Sequence, residues 1–334
     1  MAAVFTDPRL NQLQVGKNNR GVVIEEIEGF LRVYKDGHVE RPLAIPIVPC
    51  TAALDARVAA KDVFIDKYSN LWARIYVPSC PAGKLPLLVY FHGGGFCIGS
   101  AAWSCYHEFL VNLASKAGCV ILSVNYRLAP ENRLPAAYDD GVNTLMWVKQ
   151  QALNGSSEHK WWINQCNFSS LFLSGDSAGA NIAYNVATSN MIKPLCLRGS
   201  ILIQPFFGGE SRTASEKHMT QPVNSALTLS ASDTYWRLSL PLGANRDHPW
   251  CNPLVNGAGR LQELRLPSVM VCISEMDILK DRNLEFCNAL AGAGKKVETV
   301  MYKGVGHAFQ ILHNSPFSQI RIQETMSHVK AFIN

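Results

Sequence analysis

Short, unbroken apolar runs recur along most of the chain, separated by longer mixed stretches in which apolar residues fall at helical spacing. The runs are LPLLVYF (85–91), CVILSVN (119–125), LFLSG (171–175), SILIQ (200–204), SVMVCIS (268–274) and VETVMY (297–302). Continuous apolar runs flanked by turns are what strands buried on both faces look like. Their alternation with helical stretches predicts right-handed βαβ crossovers and a parallel sheet. Upstream, residues 1–28 are mixed and weakly patterned. FLRVY, Lys35-Asp36-Gly37 and HVER then read as a hairpin with Asp-Gly as its turn. A second strand pair is predicted at Asp62–Asp66 and Leu71–Val77, and both hairpins are expected to form an antiparallel edge. Residues 206–265 break the rhythm. They include LTLSASDTYWRLSLPLGANRDHPW, rich in Trp, Tyr and Leu without a clear strand, which suits a small cap over the carboxyl ends of the strands. In the tail, Ile320, Ile322, Met326, Val329 and Ile333 lie at mostly helical spacing and predict a closing helix. There is no internal repeat, and clusters such as Pro78–Gly83 are too short for interdomain linkers. The pattern predicts an α/β fold and one domain over 1–334.

Composition narrows the class. A chain of 334 residues can hold about two domains, but α/β folds reach this size as one. With 48% hydrophobic and 17% charged residues it is not a disordered chain, a coiled coil or a collagen. The net charge of +5 is spread over the chain with no block of like charges, so neither nucleic-acid binding nor a polybasic membrane patch is expected. The ten cysteines include no C-x-x-C pair and are too sparse for a disulfide scaffold. Several, such as Cys119 and Cys272, sit inside apolar runs, where free Cys behaves as a small hydrophobe. A reducing compartment, the cytoplasm, is the expectation. MAAVFTDPRLNQLQ has no secretory pattern, and no apolar run approaches the ~18 residues of a membrane span. The sequons at Asn154 and Asn167 are read as chance.

Three motifs carry chemistry. Gly175-Asp176-Ser177-Ala178-Gly179 is a G-x-S-x-G element between the strand LFLS and the helical stretch ANIAYNVATSNM, the context of a nucleophile elbow. Ser177 is the candidate nucleophile. The helix after it directs its dipole and free N–H groups toward the site. His92-Gly93-Gly94-Gly95-Phe96 follows the strand LPLLVYF, and consecutive glycines let backbone N–H groups turn toward a ligand. The N–H groups of Gly94, Gly95 and Ala178 would make an oxyanion hole. A phosphate-binding reading is weak, because no G-x-G-x-x-G follows and AGAGKK (291–296) is not a Walker loop. A serine needs a base, and the base an orienting acid. SVMVCIS runs into Glu275-Met276-Asp277, and VETVMY is followed by KGVGHAF. Asp277 is therefore the candidate acid and His307 the candidate base, with Glu275 and Asp281 competing for the acid role. The other histidines (38, 107, 159, 218, 248, 313 and 328) read as structural or solvated.

Together the motifs resemble the plant carboxylesterase family, in the hormone-sensitive-lipase-like branch of the α/β-hydrolases. EIEGFLRVYKDGHVER (26–41), HGGGF (92–96), VNYRLAPEN (124–132), LPAAYDD (134–140), GDSAGANIA (175–183), MDILKD (276–281) and GVGHAF (304–309) carry the likeness from about residue 24 onward. The resemblance implies an eight-stranded, mostly parallel sheet and a cap from about residues 1–45 plus an insertion at about 206–250. It also implies that Arg127 and Glu131 pair to brace the oxyanion loop. The activity implied is hydrolysis of carboxylic esters through an acyl-enzyme, with no metal or organic cofactor and no obligate protein partner. The substrate is expected to be a small to medium, largely apolar ester or plant metabolite, with Phe96, Phe206 and Trp236 at the pocket. Phe207, Tyr235 and Leu238 belong to the same aromatic and apolar set. The same family holds dehydratases, and a lyase or cyclase using the same triad is the alternative. It also holds hormone receptors that lack the histidine, a reading His307 disfavours.

Overall fold

The computed structural model describes residues 21–52, 57–79, 83–189, 196–221, 225–312 and 315–334. The first twenty residues of the expected cap, Cys80 and His313 lie outside the described residues.

The strands are β1 (Val23–Ile27), β2 (Leu31–Tyr34), β3 (Val39–Glu40), β4 (Val58–Asp66), β5 (Leu71–Pro78), β6 (Leu85–Phe91), β7 (Val120–Asn125), β8 (Cys166–Asp176), β9 (Leu197–Ile203), β10 (Ser268–Ser274) and β11 (Val297–Tyr302). The helices are α1 (Ser104–Ala117), α2 (Ala136–Asn154), α3 (Lys160–Ile163), α4 (Ala178–Ala187), α5 (Ala214–His218), α6 (Leu229–Ser239), α7 (Gly257–Glu263), α8 (Lys280–Gly292), α9 (Phe309–Leu312) and α10 (Pro316–Ile333). Eight strands form one sheet in the order β11-β10-β9-β8-β6-β7-β5-β4. β5 is antiparallel to both of its neighbours, β4 and β7; every other pair in the sheet is parallel. The expected α/β fold with a mostly parallel eight-stranded sheet is thus present.

Five of the six apolar runs become strands because both faces of the sheet are covered; the sixth, VETVMY, is the edge strand β11, in which only Tyr302 is buried. In β6, Leu87, Val89 and Phe91 point into one core layer, and Leu88 and Tyr90 into the other. In β10, Val271 and Ile273 alternate in the same way with Met270 and Cys272. Helices α2, α4 and α8 close the first layer, and α1 and α10 the second. Each large aliphatic side chain buried in this way contributes about 2 kcal/mol.

Four expectations need correction. The first hairpin does not join the edge of the main sheet. It pairs with β1 in a separate three-stranded sheet, β1-β2-β3, while only the second hairpin, β4–β5, forms the antiparallel edge. β1 carried no readable alternation because only Ile27 of its five residues is buried. β8 begins at Cys166, five residues before the apolar run, and its early residues are partly exposed. In α10, Ile322, Met326, Val329 and Ile333 are buried, but Ile320 faces solvent.

Candidate active site

Strand β8 delivers the chain to Ser177, which caps α4 with φ +53° and ψ −119°. This left-handed backbone is costly for a non-glycine residue and is held by its surroundings. The Ser177 N–H donates to the carbonyl of Ile203 (2.8 Å), and its carbonyl accepts from Phe206 N–H (3.0 Å). The turn is so tight that a Cβ at Gly179 would lie 1.9 Å from the Phe91 carbonyl oxygen. The motif glycine is therefore demanded by the close passage of β6.

His307 lies in the loop between β11 and α9. Its Nδ1 is 2.7 Å from Asp277 Oδ2, and its Nε2 is 2.9 Å from Ser177 Oγ. All three side chains are buried. A carboxylate can only accept, so Nδ1 carries the proton and Nε2 accepts from the serine hydroxyl. Asp277 is fixed in turn by the Leu279 N–H on Oδ1 (3.0 Å). The competing acids are engaged elsewhere: Glu275 accepts from Gly304 N–H (2.9 Å), and Asp281 from Ser215 N–H (2.6 Å). Gln204, which no motif marked, secures the loop that carries His307. Its Oε1 accepts from Ala308 N–H (2.7 Å), and its amide donates to Ser274 Oγ (2.6 Å).

The glycine loop after β6 lies beside the serine. Gly94 and Gly95 have φ of +106° and +57°. The N–H groups of Gly94, Gly95 and Ala178 have no partner among the described residues. A Cβ at Gly95 would meet the Tyr235 ring at 2.2 Å, so α6 of the insertion packs directly on this loop. Behind it, Tyr126 OH donates to the His92 carbonyl (2.8 Å) and stacks on its imidazole at 4.3 Å. Burial pushes the His92 imidazole down to about 4.

Asp176, the variable residue of the elbow motif, anchors the loop from below. Tyr90 OH donates to its Oδ1 (2.8 Å) and Tyr106 OH to its Oδ2 (3.0 Å). Tyr106 O also accepts from Gly93 N–H (2.7 Å), which links the start of the glycine loop to the residue before Ser177. Burial pushes the Asp176 carboxyl up to about 6, while the two tyrosine hydroxyls pull it down. Burial, together with the Asp176 charge, raises both phenols well above their ordinary range.

The expected Arg127–Glu131 pair does not form. Arg127 binds Asp140 through its side chain (2.7 Å) and its backbone N–H (2.8 Å), because α2 presents a fully buried carboxylate to it. Glu131 instead pairs with Arg41, whose guanidinium also donates to the carbonyls of Cys97 (2.7 Å) and Ala129 (2.8 Å). Arg41 is therefore the brace of the glycine loop, supplied from the N-terminal segment.

Ser177, His307, Gly94 and Gly95 open into a cavity of about 280 Å³. Phe206, Tyr235, Leu227 and Ile98 line it, with Ile27 and Phe30 from the small sheet. Of the three aromatics expected at the pocket, only Phe206 reaches the cavity. Phe96 and Trp236 stand behind the wall, their rings 5.5 Å apart, and Trp236 stacks flat on Phe206 at 4.6 Å. Both are packed as core, with almost no exposed surface. Among the described residues, no group of three or more His, Cys, Asp or Glu side chains is placed to hold a metal.

The α/β-hydrolase fold family matches over residues 88–311. The chain is 47% identical over 325 residues to "Probable carboxylesterase 6" of Arabidopsis thaliana, covering 95% of this chain and 93% of that protein. It is 36% identical to the chloroplastic tuliposide A-converting enzyme 2 of Tulipa gesneriana, over 86% of this chain and 74% of that one. Among solved structures, an esterase of Pyrobaculum calidifontis superposes with a TM-score of 0.68 at 25% identity, covering 86% of each chain.

Proposed function

The chain belongs to the α/β-hydrolase fold family, in its plant carboxylesterase branch, and from that premise we propose that it is a serine carboxylesterase acting through Ser177, His307 and Asp277. The observation that carries the reading is the continuous hydrogen-bonded chain from Asp277 through His307 to Ser177 Oγ, set beside free N–H groups. Ser177 Oγ attacks the ester carbonyl as His307 Nε2 takes its proton. The N–H groups of Gly94, Gly95 and Ala178 hold the negative charge that develops on the carbonyl oxygen. His307 returns the proton to the departing alcohol, leaving an acyl-serine. Water, deprotonated by the same nitrogen, then attacks the acyl carbon; the acyl–Oγ bond breaks, the acid leaves, and His307 returns the proton to Ser177 Oγ. Asp277 holds the imidazole in the required tautomer and stabilises its charged form. One hole donor is worth about 3 kcal/mol of barrier.

The apolar lining favours an uncharged acyl or alcohol group. The volume of about 280 Å³ is near the lower end of the roughly 300–1,000 Å³ of small-molecule pockets, which suits small to medium esters. We assign the cap to the three-stranded sheet and the 206–250 insertion, since Ile27, Phe30, Leu227 and Tyr235 roof the cavity. The nine free cysteines among the described residues suit a reducing compartment. Because the tulip relative is named as chloroplastic, a plastid fits this as well as the cytoplasm. No helix among the described residues is long and apolar enough to cross a membrane.

Release of p-nitrophenol from p-nitrophenyl butyrate, by the protein and by Ser177→Ala in parallel, tests the reading. Turnover that vanishes in the variant is expected; a folded wild-type protein without turnover overturns it. A second reading, a lyase or cyclase using the same residues, is favoured by relatives named for converting a metabolite rather than for hydrolysing an ester. Product analysis on such a metabolite separates the two.

A further inference from the structure

The catalytic cavity is electrically polarised. At its inner end, free N–H groups and the N-terminus of α4 favour negative charge on the reacting oxygen. At the outer end stands Glu28, exposed to solvent and lining the cavity. It occupies a corner of the tight β1–β2 turn, closed by Phe30 N–H on the Ile27 carbonyl (2.9 Å), with Gly29 at φ +76°. This turn fixes the backbone from which the Glu28 side chain projects. The glutamates in the strands of the small sheet are ion-paired: Glu25 with Arg237, and Glu26 and Glu40 with the shared Arg32. Glu28 has no ion-pair partner among the described residues. None of the described residues lining the cavity is Lys or Arg, although the chain holds 31 of them and a net charge of +5. The other lining carboxyl, Asp176, is buried beneath two tyrosine hydroxyls.

We propose that Glu28 sets the charge preference of the site: esters whose non-reacting end is neutral or cationic are accepted, and esters carrying a carboxylate at that end are discriminated against. The proposal rests on the hydrolase reading for its substrate class. Its physical basis is like-charge repulsion across a partly solvated cavity whose lining offers no compensating cation.

The test uses the full chain and three p-nitrophenyl esters of matched length: pentanoate, hemiglutarate and 4-(trimethylammonio)butanoate, each corrected for spontaneous hydrolysis. At low ionic strength kcat/KM for hemiglutarate should fall about five- to tenfold below the other two, the size expected of one like charge in a partly solvated site. Glu28→Gln should bring the anionic ester to within about twofold of pentanoate, Glu28→Lys should invert the order, and added salt should shrink the difference. Glu28 is exposed, and circular dichroism verifies that both variants fold. Equal turnover of hemiglutarate and pentanoate by the wild type, or a preference that survives Glu28→Lys, overturns the proposal. If a folded protein hydrolyses none of the three, the esterase reading fails, and calorimetry decides the charge preference separately. Tighter binding of N-phenylpentanamide than of glutaranilic acid, reversed in Glu28→Lys, upholds it; equal binding refutes it.

Discussion

Replacing Tyr106 with Phe deletes one oxygen from the floor beneath the glycine loop. That oxygen accepts from Gly93 N–H (2.7 Å) and donates to Asp176 Oδ2 (3.0 Å). Without it, a buried N–H loses its partner, at about 1–3 kcal/mol, and a buried carboxylate loses one of its donors, at about 1.5–3 kcal/mol. The second cost depends on pH. Burial raises Asp176 from 3.8 to about 6, so the folded chain binds this proton more tightly than the unfolded one. Stability from this group therefore falls as pH climbs from about 4 to about 6, by about 3 kcal/mol in all, and stays reduced above that. Tyr106 pulls the carboxyl down, so its removal raises the folded value further and carries the loss to higher pH. Urea unfolding should show Tyr106→Phe destabilised by about 1–2 kcal/mol near pH 4, where the carboxyl is protonated, and by about 3–4 kcal/mol at pH 8. With Gly93 untethered, the hole donors lose their preset aim, and kcat should fall about tenfold with KM little changed. Equal destabilisation at both pH values would refute the carboxylate argument. An unchanged kcat would refute the positioning argument.

Gly95→Ala places a Cβ within 2.2 Å of the Tyr235 ring at a backbone φ of +57°; kcat on p-nitrophenyl butyrate should drop about a hundredfold while the protein still melts cooperatively. Arg41→Ala frees the Cys97 and Ala129 carbonyls and leaves Glu131 unpaired. It should cost about 2 kcal/mol in urea unfolding, against under about 1 kcal/mol for Glu131→Gln, whose ion pair is partly exposed. The His92 imidazole, pushed down to about 4 by burial, is neutral in the folded chain, so its contribution is complete above 6.5 and lost as pH falls through 4. Its ring resonances should not titrate between about pH 8 and pH 5.5, and a midpoint near 6.5 would contradict its burial.

The parallel core was legible because β6 through β10 are buried on both faces, and such strands announce themselves as unbroken apolar runs. β1 was not, since most of its residues are exposed and its place is fixed by pairing with β2 and by the Arg237–Glu25 bridge. The three residues that converge at the elbow lie in motifs whose local context, strand–turn–helix or strand–loop, is written in neighbouring residues. Their supports are not. Gln204, Tyr106 and Arg41 act across 13 to 104 positions, through contacts that leave no spacing in the sequence. Arg127 and Glu131 illustrate the limit: both are engaged in ion pairs, but with partners that only the packing of α2 and of the N-terminal segment determines. Phe96 and Trp236 failed as pocket residues for a related reason. Aromatic content does not say which side of a wall a ring occupies.

If Ser177 is the residue acylated during turnover, it is also the one that an electrophilic serine reagent must label. Incubating the protein with a fluorophosphonate ester and mapping the adduct by peptide mass spectrometry tests it without any assumption about the natural ester. One adduct per chain is expected, on the peptide containing Ser177, formed far more slowly in His307→Ala. An adduct on another residue, or none on a folded protein that hydrolyses p-nitrophenyl butyrate, would contradict it.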